Sequence, residues 1–225
     1  MSSVVTFDAG MTLVELDLVF LAHRLAERGF AVEPAALRVG AAAAWRRYDE
    51  RADAGVHGRL WHELLADHLR GAIDPARIDA EVEWLWSQQP THNLFRAPIS
   101  DMVVLARDLR SRGVRTAVLS NSEGRLAELL AQIGIADAFE VVVDSGRVGI
   151  EKPDPRIYAL ALDELGERGP AIHIGDSWSA DIAGALAAGW RAIWYGRRAV
   201  AVEDPRVAIA HDAAEVAAAL TRFGV

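Results

Sequence analysis

Through most of this chain, short β-branched and aromatic runs alternate with stretches of helical period, and that rhythm restricts the fold more than any other feature. The runs fall at 4–7, 116–119, 139–143, 171–174 and 192–194. Stretches at 100–112, 123–133, 155–165, 179–188 and 213–223 repeat apolar residues at helical spacing. Strand–helix alternation predicts an α/β fold: a Rossmann-like, doubly wound, mostly parallel sheet with helices on its faces. Parallel neighbours need a long crossover, and a helix supplies it.

The rhythm is interrupted once. Between residues 14 and 95 no convincing strand pattern occurs. Four helical patterns, 16–28, 34–51, 58–69 and 75–86, are separated there by turn signals at Gly29, Gly55 and Asp74-Pro75. The predicted organisation is an α/β core from residues 1–13 and 96–225, with an all-helical cap, 14–95, inserted over the strand ends. The alanine run at 41–44 reads as a tightly packed helix face. A chain of 225 residues that is 52% hydrophobic and 25% charged can bury such a core.

Other classes find no support. A net charge of −8 provides no electrostatic footprint for nucleic acid or an anionic membrane. No apolar run is long enough to predict a spanning helix. The N-terminus, Met-Ser-Ser leading straight into a strand, lacks the basic region and cleavage site of a signal peptide. With no cysteine, disulfide and thiolate chemistry are excluded, and a cytoplasmic location is expected.

Of the 24 basic residues, 23 are Arg, and the one Lys is Lys152. Keeping a single ammonium among guanidinium groups points to a place that needs a compact point charge. Lys152 lies in Gly149-Ile150-Glu151-Lys152-Pro153-Asp154-Pro155, a loop ahead of a helix opened by Pro155. Three further stretches put candidates at predicted strand ends, where open α/β sheets bind ligands. Asp8, in Phe7-Asp8-Ala9-Gly10-Met11-Thr12, is a carboxylate where a strand breaks, a place that also suits a turn-forming Asp. Ser120-Asn121 offers a hydroxyl and backbone N–H groups to an anion, and is equally a common turn pair. Gly175-Asp176-Ser177-Trp178-Ser179-Ala180-Asp181 places two acids five apart, hard oxygen ligands suited to Mg2+. Asp181 also reads as a helix-start charge favoured by the macrodipole.

In this order the four stretches resemble the four motifs of the haloacid dehalogenase superfamily, and the insertion resembles that family's helical cap. The resemblance covers the whole chain; Lys-Pro-Asp-Pro and Gly-Asp-Ser with its second Asp are its most specific parts. It implies a Mg2+-dependent hydrolase, a phosphatase or phosphotransferase, monomeric or homodimeric, acting on a small phosphorylated substrate through an aspartyl-phosphate. Asp8 is then the nucleophile, Thr12 braces its loop, and Ser120 with the backbone at Asn121 holds the transferred group's oxygens. Lys152 offsets the charge of nucleophile and substrate. Asp8, Asp176 and the Gly10 carbonyl ligate Mg2+, while Asp181 orients Lys152 or metal-bound water.

One position departs from the pattern. The family's phosphatases carry a second Asp two residues after the nucleophile as general acid and base, and this chain has Gly10. Such catalysis is typically worth about 10²–10⁴-fold. Three readings follow: a phosphatase that dispenses with the acid or borrows one; a 2-haloacid dehalogenase-like hydrolase, whose halide leaves without a proton; and a catalytically impaired member acting as a binding protein. The family's dehalogenases lack the metal-binding Asp, so Asp176 and Asp181 favour the phosphate reading. Carbon–phosphorus cleavage through a cap Schiff base is excluded, because the insertion has no Lys. Within the insertion Arg46, Arg47, Tyr48, Arg51, Arg59 and Trp61 are candidate specificity residues, with solvated Arg and packed Trp as the plainer explanation. His57 and His62 are the first candidates for a replacement proton donor, followed by Glu15 and Asp17; Trp45, Trp84 and Trp86 are expected in the cap core.

Overall fold

The computed structural model describes residues 3–53, 59–169, 171–196 and 202–225, without the side chains of residues 49, 52 and 53. It divides into two compact units, one of residues 1–15 and 95–225, the other of residues 16–94.

The strands are β1 (Val4–Phe7), β2 (Val14–Leu16), β3 (Phe95–Pro98), β4 (Arg115–Ser120), β5 (Val141–Asp144), β6 (Ile172–Gly175), β7 (Arg191–Tyr195) and β8 (Val207–Ala210), all within the first unit except the last residue of β2. Six of them form one parallel sheet in the order β5-β4-β1-β6-β7-β8. This is the doubly wound α/β architecture that the alternation predicts. Strand β1 is buried end to end between β4 and β6, which is why it reads as a continuous apolar run. From β1 the chain winds outward to β4 and β5, and from β6 it winds the other way to β7 and β8. The crevice between β1 and β6 is therefore the switch point of the sheet, the place where such folds bind ligands. On one face, Ile157, Tyr158, Ala161 and Leu165 of the helix Pro155–Leu165 pack on Val4, Ala117, Leu119 and Val143, with Trp190 alongside.

Three strands escape the sequence pattern. The expectation of no strand between 14 and 95 fails at both ends, where β2 pairs with β3 in a two-stranded ribbon. In β2, Val14 and Leu16 are buried and Glu15 is exposed, an alternation too short to register as a period. The third, β8, is an edge strand paired only with β7.

The second unit is helical: Leu18–Ala26, Pro34–Arg38, Ala41–Asp53, Leu60–Leu69 and Ile78–Ser87, the last preceded by a 3-10 turn at Pro75–Arg77. The pattern at 34–51 breaks in two because Gly40 takes φ +87°, which no helix accommodates. Leu21, Leu25, Leu37, Leu64, Leu65, Leu69 and Leu85 form its interior. Trp45 meets Tyr48 and Trp61 edge-on, those two rings lie tilted against each other, and the guanidinium groups of Arg24 and Arg28 lie over Trp84. Arg47 pairs with Asp67 and Arg51 with Glu63. Glu81, fully buried, receives Arg28 at 2.8 Å and Arg77 at 2.7 Å. Among the described residues no helix is long and apolar enough to cross a membrane.

Candidate active site

The end of β1 sets the first functional side chain. The Asp8 N–H still bonds to the Ile174 carbonyl of β6 at 2.8 Å, so the residue stays in register with the sheet before the chain turns. Ala9 then accepts the N–H groups of Leu13 and Val14, while the Met11 N–H reaches Val14. Met11 carries the left-handed backbone of this turn, φ +55°. Gly10 does not, and a Cβ placed on it would meet only Asp8 Oδ2, at 3.9 Å. Neither backbone nor crowding dictates glycine there. Thr12 is fully buried, yet its hydroxyl has no hydrogen-bond partner among the described residues. The backbone bonds to Ala9 and Val14 hold the turn, the Thr12 N–H to the Ala9 carbonyl at 3.4 Å among them, and the buried Thr12 side chain adds packing.

Lys152 completes the centre. Its Nζ donates to Asp8 Oδ1 at 2.7 Å and to Asp181 Oδ1 at 2.5 Å, all three groups being buried. The loop that delivers it is clamped by Asn121, whose side chain donates to the Lys152 carbonyl at 3.0 Å and accepts its N–H at 2.8 Å. The Asn121 side chain is therefore committed to Lys152, which leaves only its backbone for the expected anion contact. Ser120, at the end of β4, is buried, and its side chain favours the ionised form of the Asp8 carboxylate.

Asp181 lies on a π turn, Trp178–Ile182, rather than in the uninterrupted helix expected over 179–188. Its Oδ2 accepts the Ser177 N–H at 2.9 Å, and its Oδ1 is shared by Lys152 and His173. Gly175 makes this approach feasible, because a Cβ there would collide with the Asp181 carboxylate. Tyr158 secures the turn by donating to the Ala180 carbonyl at 2.8 Å. Asp176 heads β6, and the indole N–H of Trp194 donates to its carbonyl at 2.8 Å. Carboxylate oxygens of Asp8, Asp176 and Asp181 lie within 4.8 Å of one another. Such a set of hard oxygens fits Mg2+. Both Asp181 oxygens are engaged, by Lys152 and His173 on one side and by the Ser177 N–H on the other.

The electrostatics follow from burial and sign. Burial pushes the Asp8 carboxyl up, while Lys152 opposes and Asp181 reinforces the rise. Burial acts the same way on Asp181, but Lys152 and then His173 overcome it and hold that carboxyl below the usual range. Burial would strip the Lys152 proton, and the two carboxylates more than reverse this, so the ammonium persists. Two carboxylates around one ammonium leave a net negative centre for a divalent cation to balance.

Sequence reasoning missed several supporting residues. Thr6 and His173 sit beneath Asp181, facing each other across β1 and β6. Asp144 accepts the N–H groups of Gly124, Leu126 and Gly146 at 2.9–3.0 Å, and so shapes the loop after Asn121. The only sequence signal for either was a polar residue within or closing an apolar run. Of the candidate proton donors, His57 lies outside the described residues. His62 stacks on Trp86 at 4.7 Å, and burial with the nearby Arg59 lowers its pKa. Asp17 caps its helix by accepting the Phe20 N–H at 2.9 Å, and Glu15 is exposed.

Comparison with known proteins gives a consistent picture. A family model described as haloacid dehalogenase-like hydrolase matches residues 3–189. The human haloacid dehalogenase-like hydrolase domain-containing protein 3 is 32% identical over 176 residues, 72% of this chain and 67% of that protein. A phosphoserine phosphatase of Thermus thermophilus is 40% identical over 149 residues, 65% of this chain and 57% of that one. The chain thus spans between about half and two thirds of the length of such curated relatives. Weaker matches include an (S)-2-haloacid dehalogenase of Pseudomonas sp. strain YL, 32% identical over 48% of this chain and 47% of its own. The magnesium-bound crystal structure of YfnB from Bacillus subtilis shares the fold, with a TM-score of 0.67 at 16% identity, covering 97% of this chain and 98% of its own.

Proposed function

This chain belongs to the haloacid dehalogenase-like hydrolases, and from that premise we propose that it is a Mg2+-dependent phosphatase or phosphotransferase acting on a small phosphorylated metabolite. The observation that carries the reading is the Lys152 ammonium bonded to Asp8 and Asp181 in a buried site, with Asp176 close enough to complete an oxygen cluster. The name of the Thermus relative, phosphoserine phosphatase, supports the same direction.

In this proposal Asp8 attacks phosphorus, the alkoxide or acyloxy group departs, and an aspartyl-phosphate forms. Water then attacks that phosphorus, releasing inorganic phosphate and returning Asp8. Lys152 favours the ionised nucleophile and offsets incoming phosphate charge, and such charge compensation dominates phosphoryl transfer. Ser120 and the Asn121 backbone orient the phosphoryl oxygens. Mg2+, held by Asp8, Asp176 and the Gly10 carbonyl, supplies further charge compensation when bound. The helical unit, residues 16–94, serves as the cap and sets specificity.

A second reading, a 2-haloacid dehalogenase-like hydrolase, is favoured by Gly10, since halide needs no proton to leave; dehalogenase-named relatives accompany it. A screen of phosphorylated metabolites and 2-haloacids, with Mg2+ or with chelator, separates the two. The expected outcome is phosphate release that vanishes with chelator and returns with Mg2+. Halide release at equal rates in both conditions installs the second reading. Turnover of neither set marks a binding protein.

A further inference from the structure

We propose that His173 is a positioning residue: fixed by the Thr6 hydroxyl, it donates its Nε2 proton to Asp181 and so sets the carboxylate that aims the Lys152 ammonium at Asp8. The inference rests on the reading of Asp8 as nucleophile, but its hydrogen-bond pattern can be tested separately.

Four contacts form one buried line. Thr6 Oγ1 lies 2.8 Å from His173 Nδ1, and His173 Nε2 lies 3.1 Å from Asp181 Oδ1. Asp181 Oδ1 receives Lys152 Nζ at 2.5 Å, and the same Nζ reaches Asp8 Oδ1 at 2.7 Å. Thr6 and His173 are register partners on adjacent strands, and both are fully buried.

The acceptors decide where the protons sit. An ionised carboxylate can only accept, so the ring nitrogen facing Asp181 carries the hydrogen. Burial, with the Lys152 charge, disfavours a second ring proton and outweighs the Asp181 and Asp8 carboxylates that favour one. The ring is therefore neutral, its Nδ1 holds a lone pair, and the Thr6 hydroxyl must donate to it. A threonine at this register position thus selects the tautomer of a ring three contacts from the nucleophile. The same arrangement, in which a partner of a partner orients a reacting group, is worth about 10–100-fold around metal ligands.

A purely space-filling role for the ring is the competing explanation. Tyr158 packs edge-on against it at 5.6 Å, and an aromatic hydrocarbon would keep that contact. His173→Phe therefore removes the donor while retaining much of the packing. Thr6→Val removes the hydroxyl at similar volume, and Thr6→Ser restores it.

The solitary lysine gives a clean readout. Isotope-labelled lysine yields one resonance, from Lys152, and labelled histidine reports the His173 tautomer, identified by its loss in His173→Phe. The protein as it exists is measured, alongside turnover of an aryl phosphate with Mg2+ and the thermal midpoint of each variant. We expect the His173 proton on Nε2, a displaced Lys152 resonance in His173→Phe and Thr6→Val, and an undisturbed one in Thr6→Ser. We also expect kcat to fall about 10-fold or more in the first two variants with KM within about twofold, and Thr6→Ser to match the parent. A proton on Nδ1, or a Lys152 resonance and kcat unchanged in His173→Phe, overturns the proposal. If the parent turns over no phosphoester, the proposed function falls, while the tautomer and the lysine resonance still decide the relay. Should His173→Phe fail to fold, the Thr6 pair and the parent tautomer decide it.

Discussion

At Gly10 the chain lacks the side chain that would hand a proton to a departing alkoxide, yet the backbone there has room for one. A Cβ at that position would meet only Asp8 Oδ2, 3.9 Å away, and the residue is not left-handed. The consequence is a leaving-group preference. Without general-acid help the departing oxygen leaves as an anion, so aryl and acyl phosphates should outrun alkyl phosphates, with rate falling steeply as leaving-group pKa rises. Gly10→Asp should flatten that slope and raise turnover of alkyl phosphates by about 10-fold or more, within the range general acids supply. Steady-state rates across a series of phosphate esters measure both. A flat slope in the parent chain would mean that another residue donates the proton, and no gain in the variant would mean that position 10 is not aimed at the leaving group.

Among the elements, the helical unit is tied by a buried carboxylate that no reading of the sequence singled out. Glu81 has no exposed surface and is paired with Arg28 and Arg77. Burial would raise its pKa, but the two guanidinium groups prevail and hold it below the usual carboxylate range. The stability this contributes is complete above the unfolded glutamate's value of about 4.3 and is lost as pH falls through the folded value. Urea unfolding should therefore show the midpoint dropping between about pH 5 and pH 3, and Glu81→Gln should cost about 1–3 kcal/mol at neutral pH while flattening that drop. A midpoint equally acid-sensitive in both proteins would contradict the assignment. Glu81 illustrates what periodicity leaves out. A charged residue on a helix reads as solvated unless its partners are known, and these lie in the turn after the helix Leu18–Ala26 and in the 3-10 turn Pro75–Arg77. Strands with strong apolar runs, such as β1 and β6, were legible because burial on both faces removes alternation. The three-residue β2 was too short to stand out, and the edge strand β8, though apolar, is half alanine, a residue depleted in strands. Helix ends moved wherever a left-handed glycine or a π turn intervened, as at Gly40 and Trp178–Ile182.

On the scale of the whole molecule, parallel winding away from the β1–β6 crevice collects Asp8, Ser120, Lys152 and Asp176 from four distant stretches of chain. Those residues were legible because each is embedded in a local motif, three of them at strand ends and Lys152 in the loop ahead of the helix Pro155–Leu165. The Thr6–His173 pair was not, because it exists only once β1 and β6 are in register. Nor was the commitment of the Asn121 side chain to the Lys152 backbone, which depends on a contact 31 residues away in sequence. The central claim is that the buried carboxylate beside the single lysine bonds covalently to its substrate. It is tested most directly by mixing the protein with Mg2+ and an aryl phosphate, quenching within the first turnover, reducing with borohydride, and sequencing the peptides by mass spectrometry. The account predicts homoserine at position 8, only when substrate is present and absent from Asp8→Asn; homoserine at another carboxylate, or at none while substrate turns over, would contradict it.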